Sequence, residues 1–144
     1  MPLVGISVGK DITVTLSDDV NGFITINRVK NWNAVQRNNK RESIALDGVN
    51  RYGNFPIGWE GSFEMERTSA DVDNYFAALE LAYQNGENIP LVTITETITE
   101  ADGTISQYQF QNCVVQLDSS GNWSGDDYVT QKISFSGSFR KQLI

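Results

Sequence analysis

Few side chains in this sequence could carry out covalent chemistry. Cysteine occurs once, at Cys113, and histidine is absent. A thiol needs a nearby base or positive charge to become a nucleophile. Without histidine, the commonest general base and the commonest metal ligand are both missing. Cys113 sits mid-strand in "QYQFQNCVVQL" and reads as a small core residue. Glu60, Glu64 and Glu66 alternate along "GWEGSFEMER" and could hold a cation or act as acid and base. The same alternation is what a solvated strand face looks like, and that reading is the simpler one. "TEADGTIS" shares acids and a glycine with a calcium loop but lacks EF-hand spacing. "DSSGNWSGDD", Asp118 to Asp127, reads as an acidic hairpin loop rather than a calcium site. "GISVG" has no strand-to-helix context for phosphate binding. The expectation is a protein that is not an enzyme and uses no cofactor and no metal.

Binding remains as a class of function. The formal net charge is −7, from 18 acidic and 11 basic residues, which opposes tight binding to a nucleic-acid backbone. Arg37, Lys40 and Arg41 form one small basic cluster. Trp32, Trp59 and Trp123 are separated in sequence, and keep open a carbohydrate-binding β-sandwich as an alternative. Hydrophobic residues make up 40% and charged residues 20% of 144, as in a single folded domain spanning 1–144. The apolar runs are too short to span a membrane, and the N-terminus shows no secretory signal.

The elements that would position these residues are mostly strands. In "DITVTLS", Ile12, Val14 and Leu16 alternate with Thr13 and Thr15, and "DDVNG" then turns the chain into "FITINRV". "GWEGSFEMER" sends Trp59, Phe63 and Met65 one way and Glu60, Ser62, Glu64 and Glu66 the other. In "YVTQKISFSGSFR", Val129, Ile133, Phe135 and Phe139 alternate with Thr130, Lys132, Ser134, Ser136 and Ser138. One helix is expected over about 69–85, capped by Thr68 or Ser69 and closed by Gly86. Its stripe is Val72, Phe76, Leu79 and Tyr83. Between about 30 and 55 the alternation fails, and the chain reads as a long loop, either a solvated one or an arm that grips a neighbour. The expected fold class is mainly β: an antiparallel sandwich or barrel-like sheet with one flanking helix.

"LVTITETITEADGTISQYQFQ" admits two hairpin registers. A two-residue Asp102-Gly103 loop mixes both faces. A three-residue loop with Gly103 in a G1 bulge places Val92, Ile94 and Ile98 with Tyr108, Phe110 and Val114. It leaves Thr93, Thr95, Thr97 and Thr99 with Gln107, Gln109 and Gln111. The clean segregation selects the second register. Glu96 then falls on the apolar face without an evident reason.

The stretch "GNFPIGWEGSFEMERTSADVDNYFAALELAYQNG", the Thr-rich hairpin and "GNWSGDDYVTQKISFSGSFRK" together resemble tail tube proteins of contractile-tailed bacteriophages. Haemolysin-coregulated proteins of type VI secretion share that architecture. The resemblance runs from about Asp47 to Lys141 and rests on element order. It implies a structural subunit of a phage virion, made in the host cytoplasm, whose hexameric rings stack into a tube for genome delivery. A contractile bacteriocin or type VI tube is the alternative. The implied partners are the protein itself, a tail sheath outside, tape-measure protein and double-stranded DNA in the lumen, and baseplate and tail terminator proteins. Glu60, Ser62, Glu64, Thr93, Thr95, Thr97, Gln107, Gln109, Gln111, Thr130, Lys132, Ser134 and Ser136 would line the lumen or face solvent. Trp32, Arg37, Lys40, Arg41 and Asn54 would make contacts between rings, because the 30–55 segment falls where the family's ring-contacting loop does.

Overall fold

A computed structural model describes residues 12–18, 22–26 and 28–144. The readings of the N-terminal segment through Asp11, and of Asp19 to Asn21 in the first turn, lie outside the described residues. The element order is β1 (Ile12–Asp18), β2 (Gly22–Ile26), β3 (Val29–Ile44), β4 (Asn50–Glu66), α1 (Asp71–Gln84), β5 (Val92–Thr99), β6 (Ile105–Ser119), β7 (Thr130–Gly137) and β8 (Phe139–Gln142). Every strand pairing is antiparallel. The fold is therefore mainly β with a single helix among the described residues, as the alternation patterns predict.

The strands form two sheets that share β6. The first runs β2-β1-β5 and then the N-terminal half of β6, with β8 on its far side. The second runs β3-β4-β7 and then the C-terminal half of β6. Val14, Leu16, Ile94 and Phe110 of the first sheet are buried with Phe63, Met65, Ile133 and Phe135 of the second, in one core. Side chains alternate across a strand, so the polar partners of these residues point away from that core.

The hairpin of β5 and β6 adopts the three-residue loop. Thr99 pairs with Ile105, Glu100 N–H donates to Thr104 C=O, and Gly103 has φ +89°. Ile94 faces Phe110 and Thr95 faces Gln109, as the segregated register requires. The expected place of Val114 on the apolar face is wrong. Asn112, at φ +55°, is an extra residue in β6, and it reverses the alternation. Beyond it Cys113, Val115 and Leu117 turn inward, and Val114 is exposed.

The long loop expected at about 30–55 is instead most of a long hairpin. β3 and β4 stay paired from Val29↔Met65 out to Ile44↔Asn50, and a tight turn holds Ala45 to Val49. From Asn38↔Pro56 outward the two strands pair only with each other, so this part projects as an arm. The polar alternation fails there because the arm buries no face within the monomer, and period two is visible only where one face is buried.

Helix α1 matches the expected span and turns three of its four expected stripe residues inward. Tyr75 and Leu79 are buried, Val72 and Phe76 pack against the core, and Tyr83 is exposed. Neither Thr68 nor Ser69 is the N-cap. Ala70 holds that position, and Ser69 Oγ accepts only a long bond from Asp71 N–H. At the other end Gly86 N–H donates to Tyr83 C=O and Glu87 N–H to Ala82 C=O, the paired closure that a left-handed Gly86 permits. Tyr75 Oη donates to Asp18 Oδ2 at 2.6 Å, tying the helix to β1. Burial, and then the Asp18 carboxylate, push the tyrosine's pKa upward, so the hydroxyl keeps its proton. Phe139, expected inside with Phe135, is exposed, because the chain breaks at Gly137 and Ser138 and β8 joins the other sheet.

Candidate assembly surfaces

The polar residues singled out in the sequence form two surfaces rather than one. On the outer face of the first sheet, Thr95 lies between Thr15 and Gln109, and Thr97 lies between Thr13 and Gln107. Gln107 Nε2 donates to Thr97 Oγ1 at 3.2 Å, and Gln111 Nε2 to Gln109 Oε1 at 2.9 Å. Thr93 pairs with Ser17 in the same plane. This face is neutral except where Lys141 joins Gln109 at the β8 edge. Cross-strand amide and hydroxyl pairs of this kind stiffen a wet face without adding charge.

The outer face of the second sheet carries the other set. Ser62 pairs with Ser134, which pairs with Gln116. Glu60 pairs with Ser136, and Glu64 with Lys132, so an opposite charge sits directly across from one of the two carboxylates. Thr130 pairs with Glu66 at the end of the sheet. Ser134 Oγ donates to Asp118 Oδ1 at 3.0 Å. Since both sheets back onto one core, Thr95 and Ser134 lie on opposite sides of the molecule.

The arm carries Arg37, Lys40, Arg41 and Asn54, all exposed. Lys40 pairs with Asn54, and Arg41 with Gly53. Arg37 lies 3.7 Å from Glu60, across the base of the arm. Arg51 and Asp47 close the tip at 2.9 Å, and this bond holds the Asp47 carboxyl below its ordinary value. Around them Ile44, Leu46, Val49, Tyr52, Phe55 and Ile57 are exposed, an unusual apolar load for a two-stranded ribbon.

Trp32 is not a surface contact. It stacks on Phe135 at 5.4 Å between ring centroids and lies 5.5 Å from Phe63. Its indole N–H donates to Glu96 Oε2 at 3.0 Å, which accounts for the acid on the apolar face. Glu96 is 6% exposed, and Arg140 stands 3.9 Å from its other oxygen. The Arg140 guanidinium in turn lies over the Tyr108 ring at 3.8 Å. Sequence reasoning missed Arg140, which lies 44 residues away from Glu96 by position and is brought to it by β8. It also missed buried Gln131, whose amide donates to Asp73 at 2.7 Å and to the Ser120 carbonyl at 3.2 Å. Cys113 is buried as expected, and desolvation pushes its thiol to about 12. Of the three tryptophans, Trp32 and Trp59 pack against the core and only Trp123 is exposed, so they do not make one platform.

No family model matches the sequence, and no curated protein matches it. Solved structures share the fold. A chain of the sheath/tube terminator of the PVC extracellular contractile injection system, in its extended state, aligns with a TM-score of 0.69 at 13% identity, over 99% of this chain and 100% of that one. The sheath-tube complex of the same system gives 0.67 at 13% identity, over 94% and 89%. The SPP1 tail tube gives 0.59 at 14% identity, over 94% of this chain and 77% of that chain. The chain thus has the fold of tail-tube proteins.

Proposed function

We propose that this protein is the structural, non-catalytic subunit of a phage tail tube, whose copies close into hexameric rings that stack around a conduit for the genome. The observation that carries this reading is the second sheet, which is open at both ends. Among the described residues β3 pairs only with β4, and β6 from Val114 to Ser119 pairs only with β7. Two unlike open edges on one sheet suit head-to-tail contact, and a repeated head-to-tail contact closes a ring when its rotation allows.

If the second sheet continues from copy to copy, its outer face meets the bore and the first sheet stands outside it. Ser62, Ser134, Ser136 and Gln116 then line the wall, with Glu60, and with Glu64 offset by Lys132. DNA must pass such a wall without adhering, and a basic lining would hold it. The Thr and Gln face of the first sheet would meet the sheath. Tape-measure protein in the bore, and baseplate and terminator at the ends, complete the assembly. A bacteriocin or secretion tube uses the same geometry with a different cargo.

Negative-stain electron microscopy across a concentration series tests the proposal. Rings or hollow tubes are the expected result. Monomers at every concentration, with or without added baseplate, would remove it.

A further inference from the structure

The last strand of the chain fills a slot rather than building the core. Among the described residues β8 pairs only with β6, from Tyr108↔Gln142 to Gln111↔Phe139. Phe139, Lys141, Gln142, Leu143 and Ile144 are exposed, and Arg140 is the one side chain of β8 that turns inward. Its guanidinium lies over the Tyr108 ring at 3.8 Å, with the Trp59 ring at 5.0 Å and the Phe110 ring at 5.6 Å. Glu96 Oε1 stands 3.9 Å from it. Aromatic faces and one carboxylate, set beside a strand edge, are the groups that recognise a guanidinium presented by an extended chain. We propose that the Tyr108–Gln111 edge of β6, with the slot of Trp59, Glu96, Tyr108 and Phe110, is a binding site for an arginine-bearing strand of another polypeptide, and that β8 is its displaceable cover. The site is independent of how rings close, since it uses the β8 side of the first sheet and not the open edges of the second.

Three observations make the cover displaceable. First, the slot is imperfectly filled. Arg140 Nε is buried without an acceptor, and the approach to Glu96 is longer than a hydrogen bond. A strand free of the tether to β7 can seat its guanidinium closer to the carboxylate and gain the bond that the tether withholds. Second, the hinge is built in. Ser138 interrupts the run from β7 to β8, and just before it a Cβ at Gly137 would meet Cys113 Sγ at 2.7 Å. That close packing anchors β7 up to the hinge, so β8 can leave without disturbing it. Third, β8 brings almost no apolar surface into the core, and elements with few buried apolar contacts open locally well before the whole fold does. When β8 leaves, Glu96 keeps its bond from the Trp32 indole, so the acid stays in place for an incoming cation.

The test uses the full chain and a synthetic peptide, SFRKQLI, with the sequence of Ser138 to Ile144. In a chain carrying Arg140→Met the cover is weakened at its one inward side chain, and circular dichroism checks that the chain is folded. We expect the peptide to bind this variant saturably, read by the fluorescence of Trp32 and Trp59. The same peptide with Arg140→Met should bind at least about tenfold more weakly, the scale of a lost hydrogen bond to a charged group. The wild-type chain should respond only at higher peptide concentration, because its own strand competes at a high effective concentration. A second measurement needs no weakened variant. A chain carrying Gln109→Cys is mixed under mild oxidation with the peptide carrying Lys141→Cys, its register partner, while Cys113 stays buried. A disulfide adduct that requires the peptide's arginine supports the site. A folded Arg140→Met chain that ignores the peptide, or that binds both peptides equally, would overturn it. So would a Gln109→Cys chain that forms no adduct or captures both peptides alike. If the Arg140→Met chain does not fold, the adduct decides. None of these measurements depends on tubes forming.

Discussion

The carboxyl of Glu96 can sit inside the core only if other groups satisfy its oxygens. The Trp32 indole N–H and the Arg140 guanidinium do so from β3 and β8, and the Tyr108 ring covers the guanidinium's face. Removing one partner leaves a buried oxygen short of a donor. Trp32→Phe keeps much of the ring packing and deletes that donor, so unfolding by urea should show a loss of about 1–3 kcal/mol. The exposed tip obeys a different rule. Asp47 accepts from Arg51 and from the Val49 N–H at 3.0 Å, which lowers its folded pKa below 3.8. A lowered carboxyl pKa stabilises the fold above the unfolded value and loses that contribution as pH falls through the folded one. The protection factor of the Val49 amide should therefore fall as pH drops below about 3.8, while Phe110 in the core stays protected. Neither arrangement could be read from local sequence. Glu96 was visibly anomalous, but its partners come from two other strands that only the sheet register brings close.

Gly61 sets how closely β4 approaches β3 inside the second sheet. A Cβ at Gly61 would run into the main-chain oxygen of Asn33 on the paired strand, a backbone atom that cannot move aside. Gly61→Ala should lose about 2 kcal/mol or more by thermal or chemical unfolding, the scale of steric overpacking at a fixed backbone. Strands with one buried face were legible: Val14 and Leu16 in β1, Phe63 and Met65 in β4, Ile133 and Phe135 in β7 all point inward as alternation predicts. The three-residue hairpin loop was legible too, because Gly103 had only one register that kept threonines from phenylalanines. An arm was one of the two readings of this segment, but its strands were not legible, since Asn38, Asn39, Lys40 and Arg41 carry no buried face to betray them. The length of the gap was the available signal, because structureless stretches of that length are rare in compact domains. Val72, Phe76 and Leu79 of the expected helix stripe face the core, but Tyr83 does not, and Tyr75 was missed because its bond to Asp18 is something hydrophobic spacing does not record.

At the scale of the whole molecule, the separation of the two polar faces is directly measurable. Thr95→Cys and Ser134→Cys should behave alike in the monomer and differ in assembled tubes. A bulky maleimide added outside should modify Cys at 95 and reach Cys at 134 poorly; equal labelling would reverse or cancel the bore assignment. Replacing Arg37, Lys40 and Arg41 together with Ala should weaken assembly several-fold in sedimentation while leaving the monomer's circular dichroism unchanged, since exposed charges contribute little to folding. Arg37 is the exception to watch, because its contact with Glu60 is within the chain. The sequence picked out the group of polar residues as lining the lumen or facing solvent, without dividing it. Two sheets sharing a strand divide it between two surfaces, and no local pattern reveals a shared strand.

The shared strand behaves like a sentence with a single inserted letter. Before Asn112 the odd-numbered glutamines of β6 address the outer wall of the first sheet; after it, even-numbered residues address the outer wall of the second. One residue in the left-handed conformation thus performs a frameshift in three dimensions. Were Asn112 to take a regular extended place in the strand instead, Cys113, Val115 and Leu117 would turn to the surface and Val114 and Gln116 inward. One further residue inserted beside it should therefore exchange the two faces of everything downstream, whereas loss of Asn112 itself should straighten the strand and leave the faces as they are.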